Sequence, residues 1–104
     1  MKKEDFLPIG SVVLLKGGRK KIMVIGYLAI DGNNLYDYQA CAFPEGLYSS
    51  NNLLVFNKSQ IKEVCYLGYV NEESTKFNKK IKEFLNGLNK RIDKINFAQE
   101  NKEN

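Results

Sequence analysis

Apolar and polar positions follow one another in short runs over the first two thirds of this chain, and the period then changes. Leu7-Pro8-Ile9-Gly10 is a rigid entry, because proline fixes its own φ and biases Leu7 towards extended geometry. A strand is expected at about residues 11–16, and Gly17-Gly18 then supplies the φ > 0 conformations of a tight turn. A second, longer strand follows at about residues 20–30. Its apolar run, Ile22 to Ile30, is interrupted by Gly26, and a glycine inside a long strand predicts a bulge or sharp bend. Asp31-Gly32-Asn33-Asn34 is a turn by composition. A third strand is expected at about residues 35–43, stopped by Pro44-Glu45-Gly46, and Leu47 to Asn52 is expected to form an exposed loop. A fourth strand at residues 53–56 leads to Asn57, placed to cap a short helical turn over residues 58–61, before a fifth strand at about residues 63–69.

After Val70 the apolar spacing becomes helical. Ile81, Leu85, Leu88, Ile92 and Ile95 stand 4, 3, 4 and 3 residues apart, a heptad seam with Lys79, Lys80, Lys82, Lys90, Arg91 and Lys94 off it. Asn71-Glu72-Glu73-Ser74 carries capping and first-turn acidic residues, so the spacing predicts a helix over 72–96 with a polar tail at 97–104. Phe77 and Phe84 are the residues expected to hold the first half of that helix on the sheet, leaving the second half to project. The predicted fold class is therefore α+β: a small five-stranded, bent antiparallel sheet or open barrel at about residues 6–70, followed by an amphipathic C-terminal helix.

Length and charge set limits on this picture. A chain of 104 residues with 43% hydrophobic content can bury one core, which makes one domain the expectation. No apolar run approaches the roughly 20 residues needed to span a bilayer, and Met1-Lys2-Lys3 is followed by Glu4-Asp5, so a soluble cytoplasmic protein without membrane insertion is expected. Cys41 and Cys65 each sit in an apolar strand pattern and are expected to be reduced and buried. The net charge of +4 is mixed along the chain rather than gathered in a tail.

The chain has no histidine and no tryptophan, which removes the commonest general base and metal ligand. No carboxylate pair lies in an apolar setting, Gly17-Gly18 is not part of a phosphate loop, and no serine or cysteine has a nucleophile's surroundings. A non-enzymatic protein without metal or cofactor is expected. Two binding surfaces stand out. One is the helix seam of Ile81, Leu85, Leu88, Ile92 and Ile95, fit to pack against a partner helix or its own copy, with Tyr48 in the Leu47 to Asn52 loop as a competing contact. The other is the basic turn of Lys16, Arg19, Lys20 and Lys21, which could meet nucleic-acid phosphates while Tyr36, Tyr38 or Tyr48 stack on bases.

As an ordered set, the Leu7 to Gly18 entry and turn, Tyr36-Asp37-Tyr38, Phe43-Pro44-Glu45-Gly46 and the stretch from Phe56-Asn57 to Tyr69 resemble a small Gram-positive family, domain-of-unknown-function family 4176. The similarity covers about Leu7 to Phe77. It implies an accessory of the type VII secretion system, encoded beside LXG-type toxins, that binds a toxin or its small helical targeting partners before export. It brings no catalytic residues. The export signal of type VII substrates, Tyr-x-x-x-Asp/Glu, is matched at Tyr27…Asp31 and Tyr69…Glu73, against roughly 0.7 matches expected by chance. A helper that stays inside the cell fits this better than an exported substrate, with nucleic-acid binding through the basic turn as the alternative.

Overall fold

A computed structural model describes the chain from residue 5 to residue 102, with side chains as far as residue 88. Five strands precede one helix: β1 (Val12–Leu15), β2 (Ile22–Asp31), β3 (Asn34–Ala42), β4 (Leu54–Phe56), β5 (Ile61–Tyr66) and α1 (Glu72–Lys102). The strands form one antiparallel sheet in the order β4-β3-β2-β1-β5. The chain thus adopts the expected α+β class. It divides into a sheet unit, Phe6–Val70, and a helical unit that begins at Asn71 and includes Asp5.

The sheet has to curl. β4 and β5 occupy its opposite edges, yet only residues 57–60 separate them in sequence. Four inter-strand gaps of about 4.8 Å would put the edges of a flat sheet about 19 Å apart. Five residue steps reach at most about 18 Å when fully extended, and Lys58–Gln60 is a 3-10 turn, which rises only about 2 Å per residue.

β2 supplies part of the bend. Its register against β3 shifts between Val24 and Gly26, so Ile25 is an inserted residue. Before the bulge the even-numbered Ile22 and Val24 are buried; beyond it the buried position is the odd-numbered Ala29. One strand thereby serves two stretches of the core, as the glycine in its apolar run predicts. Past the bulge Leu28 takes φ +57°, a left-handed conformation that pattern alone does not foresee.

Four aromatic rings fill the centre of the sheet unit. Tyr38 stacks on Phe56 (centroids 4.9 Å apart, planes at 22°), while Phe6 meets Tyr27 and Tyr38 edge-on, each at 5.5 Å. The entry segment is fastened to this cluster by its backbone. Leu7 N–H donates to the Tyr38 hydroxyl at 2.8 Å, and the Tyr27 hydroxyl donates to the Leu7 carbonyl at 2.6 Å. The Lys58 ammonium lies 3.8 Å from the Phe6 ring centroid, a cation–π contact.

Asn57 does more than cap. Its N–H donates to Gln60 Oε1 at 2.8 Å, its Oδ1 accepts from Asp37 N–H at 3.0 Å, and Asp37 Oδ2 accepts from Lys58 N–H at 2.8 Å. The connection from β4 to β5 is therefore tied to β3.

Three details of the sheet unit differ from the pattern-based reading. β5 runs Ile61–Tyr66 rather than 63–69, because the chain must leave the strand where Gly68 crosses the entry: Gly68 N–H donates to Ser11 Oγ at 2.9 Å. The loop at 47–52 holds a 3-10 turn, Ser50–Asn52, whose cap is Ser49 Oγ accepting from Asn51 N–H at 3.1 Å. In the turn after β1 only Gly17 takes a positive φ, and Gly18 N–H instead closes back on the Leu15 carbonyl at 3.0 Å.

In the helical unit, Asn71 Oδ1 accepts from Ser74 N–H and Ser74 Oγ accepts from Asn71 N–H, at 2.8 and 2.9 Å. This reciprocal cap fixes the start of α1 at Glu72. The helix continues past Asn96 to Lys102, since no proline or glycine follows to stop it. Asp5 pairs with Lys82 at 2.6 Å.

Candidate functional site

At about 100° per residue, Ile81, Leu85, Leu88, Ile92 and Ile95 fall within an arc of about 80° of α1; Phe77 lies at one edge of that arc, at the same angle as Ile95, and Phe84 about 20° beyond it. Exposure along this strip is uneven. Ile81 is 6% exposed, Leu85 and Leu88 are half-buried, and Phe77 and Phe84 are 53% and 60% exposed. Phe77 and Phe84, the residues expected to hold the first half of the helix, are both exposed, whereas Ile81 is buried. Ile92 and Ile95 lie outside the described side chains.

The flank phenylalanines are the site residues that the 4-3-4-3 count leaves out. They could have been found from the same sequence by allowing the stripe to widen beyond a strict heptad seam. Around them the helix is basic and charged: Glu72 pairs with Lys76 at 3.3 Å, and Glu72, Glu73, Lys76, Phe77 and Lys80 line a shallow depression on its first turns. The arrangement suits packing against another apolar surface. It offers no buried acid, base or nucleophile.

Tyr48, the competing contact, is 72% exposed and stands beside exposed Leu47 in the segment between β3 and β4. Phe43 and Leu53, from the same segment, and Leu54, the first residue of β4, are exposed as well. At the basic turn, Lys16, Arg19 and Lys21 are exposed, and Lys20 is held at 2.7 Å by Glu45, whose carboxyl is lowered below its usual value by that hydrogen bond. Tyr38, a candidate for base stacking, is 1% exposed and committed to the core, so it cannot serve there.

Tyr38, which is buried, and Tyr27, which is half-buried, are structural and neutral. Burial pushes the Tyr38 hydroxyl up to about 12, against a smaller lowering by its bond from Leu7 N–H, and raises Tyr27 in the same direction. A folded-state value above the unfolded one, near 10, means that the stabilisation is complete below pH 10 and is lost as pH rises through about 12. Alkaline unfolding is accordingly expected to set in above pH 10. The wild-type-minus-Tyr38→Phe phenolate absorbance should develop about two pH units later than for a free tyrosine; a difference titrating near pH 10 would contradict it.

Cys41 is buried as expected, but Cys65 is exposed, because β5 is an edge strand with five of its six residues in contact with solvent. Among the described residues, no three thiols or carboxylates gather to hold a metal ion, and no helix is long and apolar enough to cross a membrane. Every buried side-chain nitrogen and oxygen among them has a hydrogen-bond partner, so no orphaned group waits for a ligand. In comparison with known proteins, a family model described as a domain of unknown function (DUF4176) matches residues 6–77, which span the whole sheet unit and the first turns of α1. No curated protein and no solved structure matches the chain.

Proposed function

The chain belongs to the DUF4176 family of domains of unknown function, and from that premise we propose that it is a non-enzymatic cytoplasmic adaptor or chaperone. Its partner would be an LXG-type toxin exported by the type VII system, or the small helical proteins that accompany such a toxin. One observation carries most weight: Phe84 is 60% exposed beside half-buried Leu85 and Leu88, on a helix otherwise rich in lysine. A helical partner has apolar faces that need cover before export, and the Phe77-Phe84-Leu88 strip offers a complementary stripe at helical spacing. By sequence spacing, Ile92 and Ile95 continue it. The resemblance in the entry, turn and capping motifs supplies the partner class, and the helix strip supplies the surface.

Co-expression with the N-terminal domain of the neighbouring toxin tests this. Phe84→Asp with Leu88→Asp is expected to lower co-purification at least tenfold, since two charges would be buried in an apolar contact. Circular dichroism should remain that of the folded sheet. Retained binding would move the site to the Tyr48 segment, and absence of any complex with the unaltered chain would overturn the adaptor role.

A further inference from the structure

We propose that the basic end of the sheet unit binds single-stranded nucleic acid, with Lys16, Arg19, Lys21 and Lys62 on phosphates and Phe43 under a base. The proposal is independent of the adaptor reading and rests on the sheet unit alone. Charge in this unit is divided between its ends. Between Phe6 and Val70 the chain has six lysines and arginines, and five of them, Lys16, Arg19, Lys20, Lys21 and Lys62, stand at the end of β1, in the turn after it and at the starts of β2 and β5. The register makes these one end of the sheet, since Leu15 pairs with Ile61 and Ile22 with Ala42. The turn between β2 and β3, at the other end, carries Asp31 and no cation.

Two carboxylates share the basic end. Glu45 takes up Lys20 at 2.7 Å, and Glu63 follows Lys62 in the chain. Four exposed cations are thus left against one carboxylate, and among the described residues no ion pair holds Lys16, Arg19, Lys21 or Lys62. From β5 through β1 and β2 to β3 these groups and Phe43 cross four adjacent strands. Three gaps of about 4.8 Å make a row about 14 Å long. A stacked strand advances about 3.4 Å per nucleotide, so the row matches about four nucleotides.

Phe43 selects the kind of polyanion. Beyond the Ile22–Ala42 pair the next residues to face each other are Lys21 and Phe43, and Phe43 N–H donates to the Lys21 carbonyl at 3.0 Å. Residues directly opposite share a side of the sheet, which sets an exposed ammonium beside a ring that is itself 43% exposed. A cation and a ring side by side suit a phosphate and the base next to it. An acidic peptide would use the cations and leave the ring idle. Paired bases hide their faces in the stack, so the ring favours a single strand over a duplex. Phe43 therefore takes the stacking role for which buried Tyr38 is unfit.

Fluorescence anisotropy of a dye-labelled oligothymidylate titrated with the full chain tests this. Each phosphate neutralised on a single strand contributes about −0.7 to the slope of log affinity on log salt, so four contacts give about −2.8, a loss of about fiftyfold between 50 and 200 mM salt. Lys16→Gln with Arg19→Gln is expected to weaken binding at least tenfold and to bring the slope to about −1.4. Phe43→Leu keeps an apolar side chain and removes the ring; it should cost about fivefold or more and leave the slope unchanged. All three positions are exposed, so these variants should keep the circular dichroism of the unaltered chain. No binding at low salt, equal binding of polyglutamate, a strand held as well by Phe43→Leu, or a loss produced instead by Lys76→Gln with Lys80→Gln would each overturn the proposal. Should Phe43→Leu alter the fold, the Lys16 and Arg19 variant and the polyglutamate comparison decide.

Discussion

Phe56→Ala is expected to remove most of the stability of the sheet unit. The ring is fully buried and stacked on Tyr38, which is itself 1% exposed. Truncating a buried phenylalanine costs about 3–5 kcal/mol, made up of lost transfer energy and the cavity left behind. A unit of this size holds about 3–10 kcal/mol in all, so the variant should be partly unfolded at room temperature. Collapse of the neighbours into the cavity is hindered, because Tyr38 is held by Leu7 N–H and packs against Phe6 in a T-shaped contact. Urea unfolding followed by circular dichroism checks this: the midpoint should fall sharply with little change in slope. Tyr48→Ala removes an equally aromatic side chain that is 72% exposed, and should lie within about 0.5 kcal/mol of wild type. Equal losses in the two variants would mean that the stack is not the centre of the core.

What the chain pattern made legible was whatever depends on local spacing. Five strands appear where the apolar runs stand, the Gly26 interruption is a bulge one residue away at Ile25, and the change of period after Val70 coincides with the boundary between the two compact units. Residues whose roles are set by distant neighbours were not legible. Nothing local distinguishes Cys65 from Cys41; one lies on an edge strand and the other on an interior strand, and only strand order separates them. Tyr38 and Tyr48 likewise look alike in sequence, and one is sealed in the aromatic cluster while the other stands in solvent. Periodicity likewise does not set exposure along a stripe: among the described side chains of α1, Ile81 is buried while Phe77 and Phe84 are exposed.

Gly68→Ala is expected to be nearly as damaging as Phe56→Ala, although it adds a single methyl group. Gly68 does not need a positive φ; it needs the absence of a side chain. A Cβ there would sit on the carbonyl oxygen of Ile9, and 3.0 Å from both the Ile9 carbonyl carbon and the Ser11 nitrogen. All three obstacles are backbone, and that backbone is fixed: Gly10 N–H bonds to the Val24 carbonyl and Val24 N–H to the Ser11 carbonyl, both at 2.8 Å. The entry cannot step aside without breaking its attachment to β2, so the crossing chain would have to move. Overpacking of this kind costs about 1–3 kcal/mol. Displacing residue 68 also breaks its bond to Ser11 Oγ, and Ser11 is fully buried, so an unsatisfied hydroxyl adds about 1–3 kcal/mol. Ser11→Ala should show a cost of the second kind alone, because it leaves the buried Gly68 N–H without its acceptor while the crossing keeps its geometry. Gly87→Ala provides the opposite sign: with nothing within 4 Å of the added carbon and an exposed helical position, it should stabilise α1 by about 1 kcal/mol. Thermal unfolding of the three variants therefore orders them as Gly87→Ala above wild type, then Ser11→Ala, then Gly68→Ala; a Gly68→Ala protein as stable as wild type would show that the entry and the β5 exit do not cross this closely.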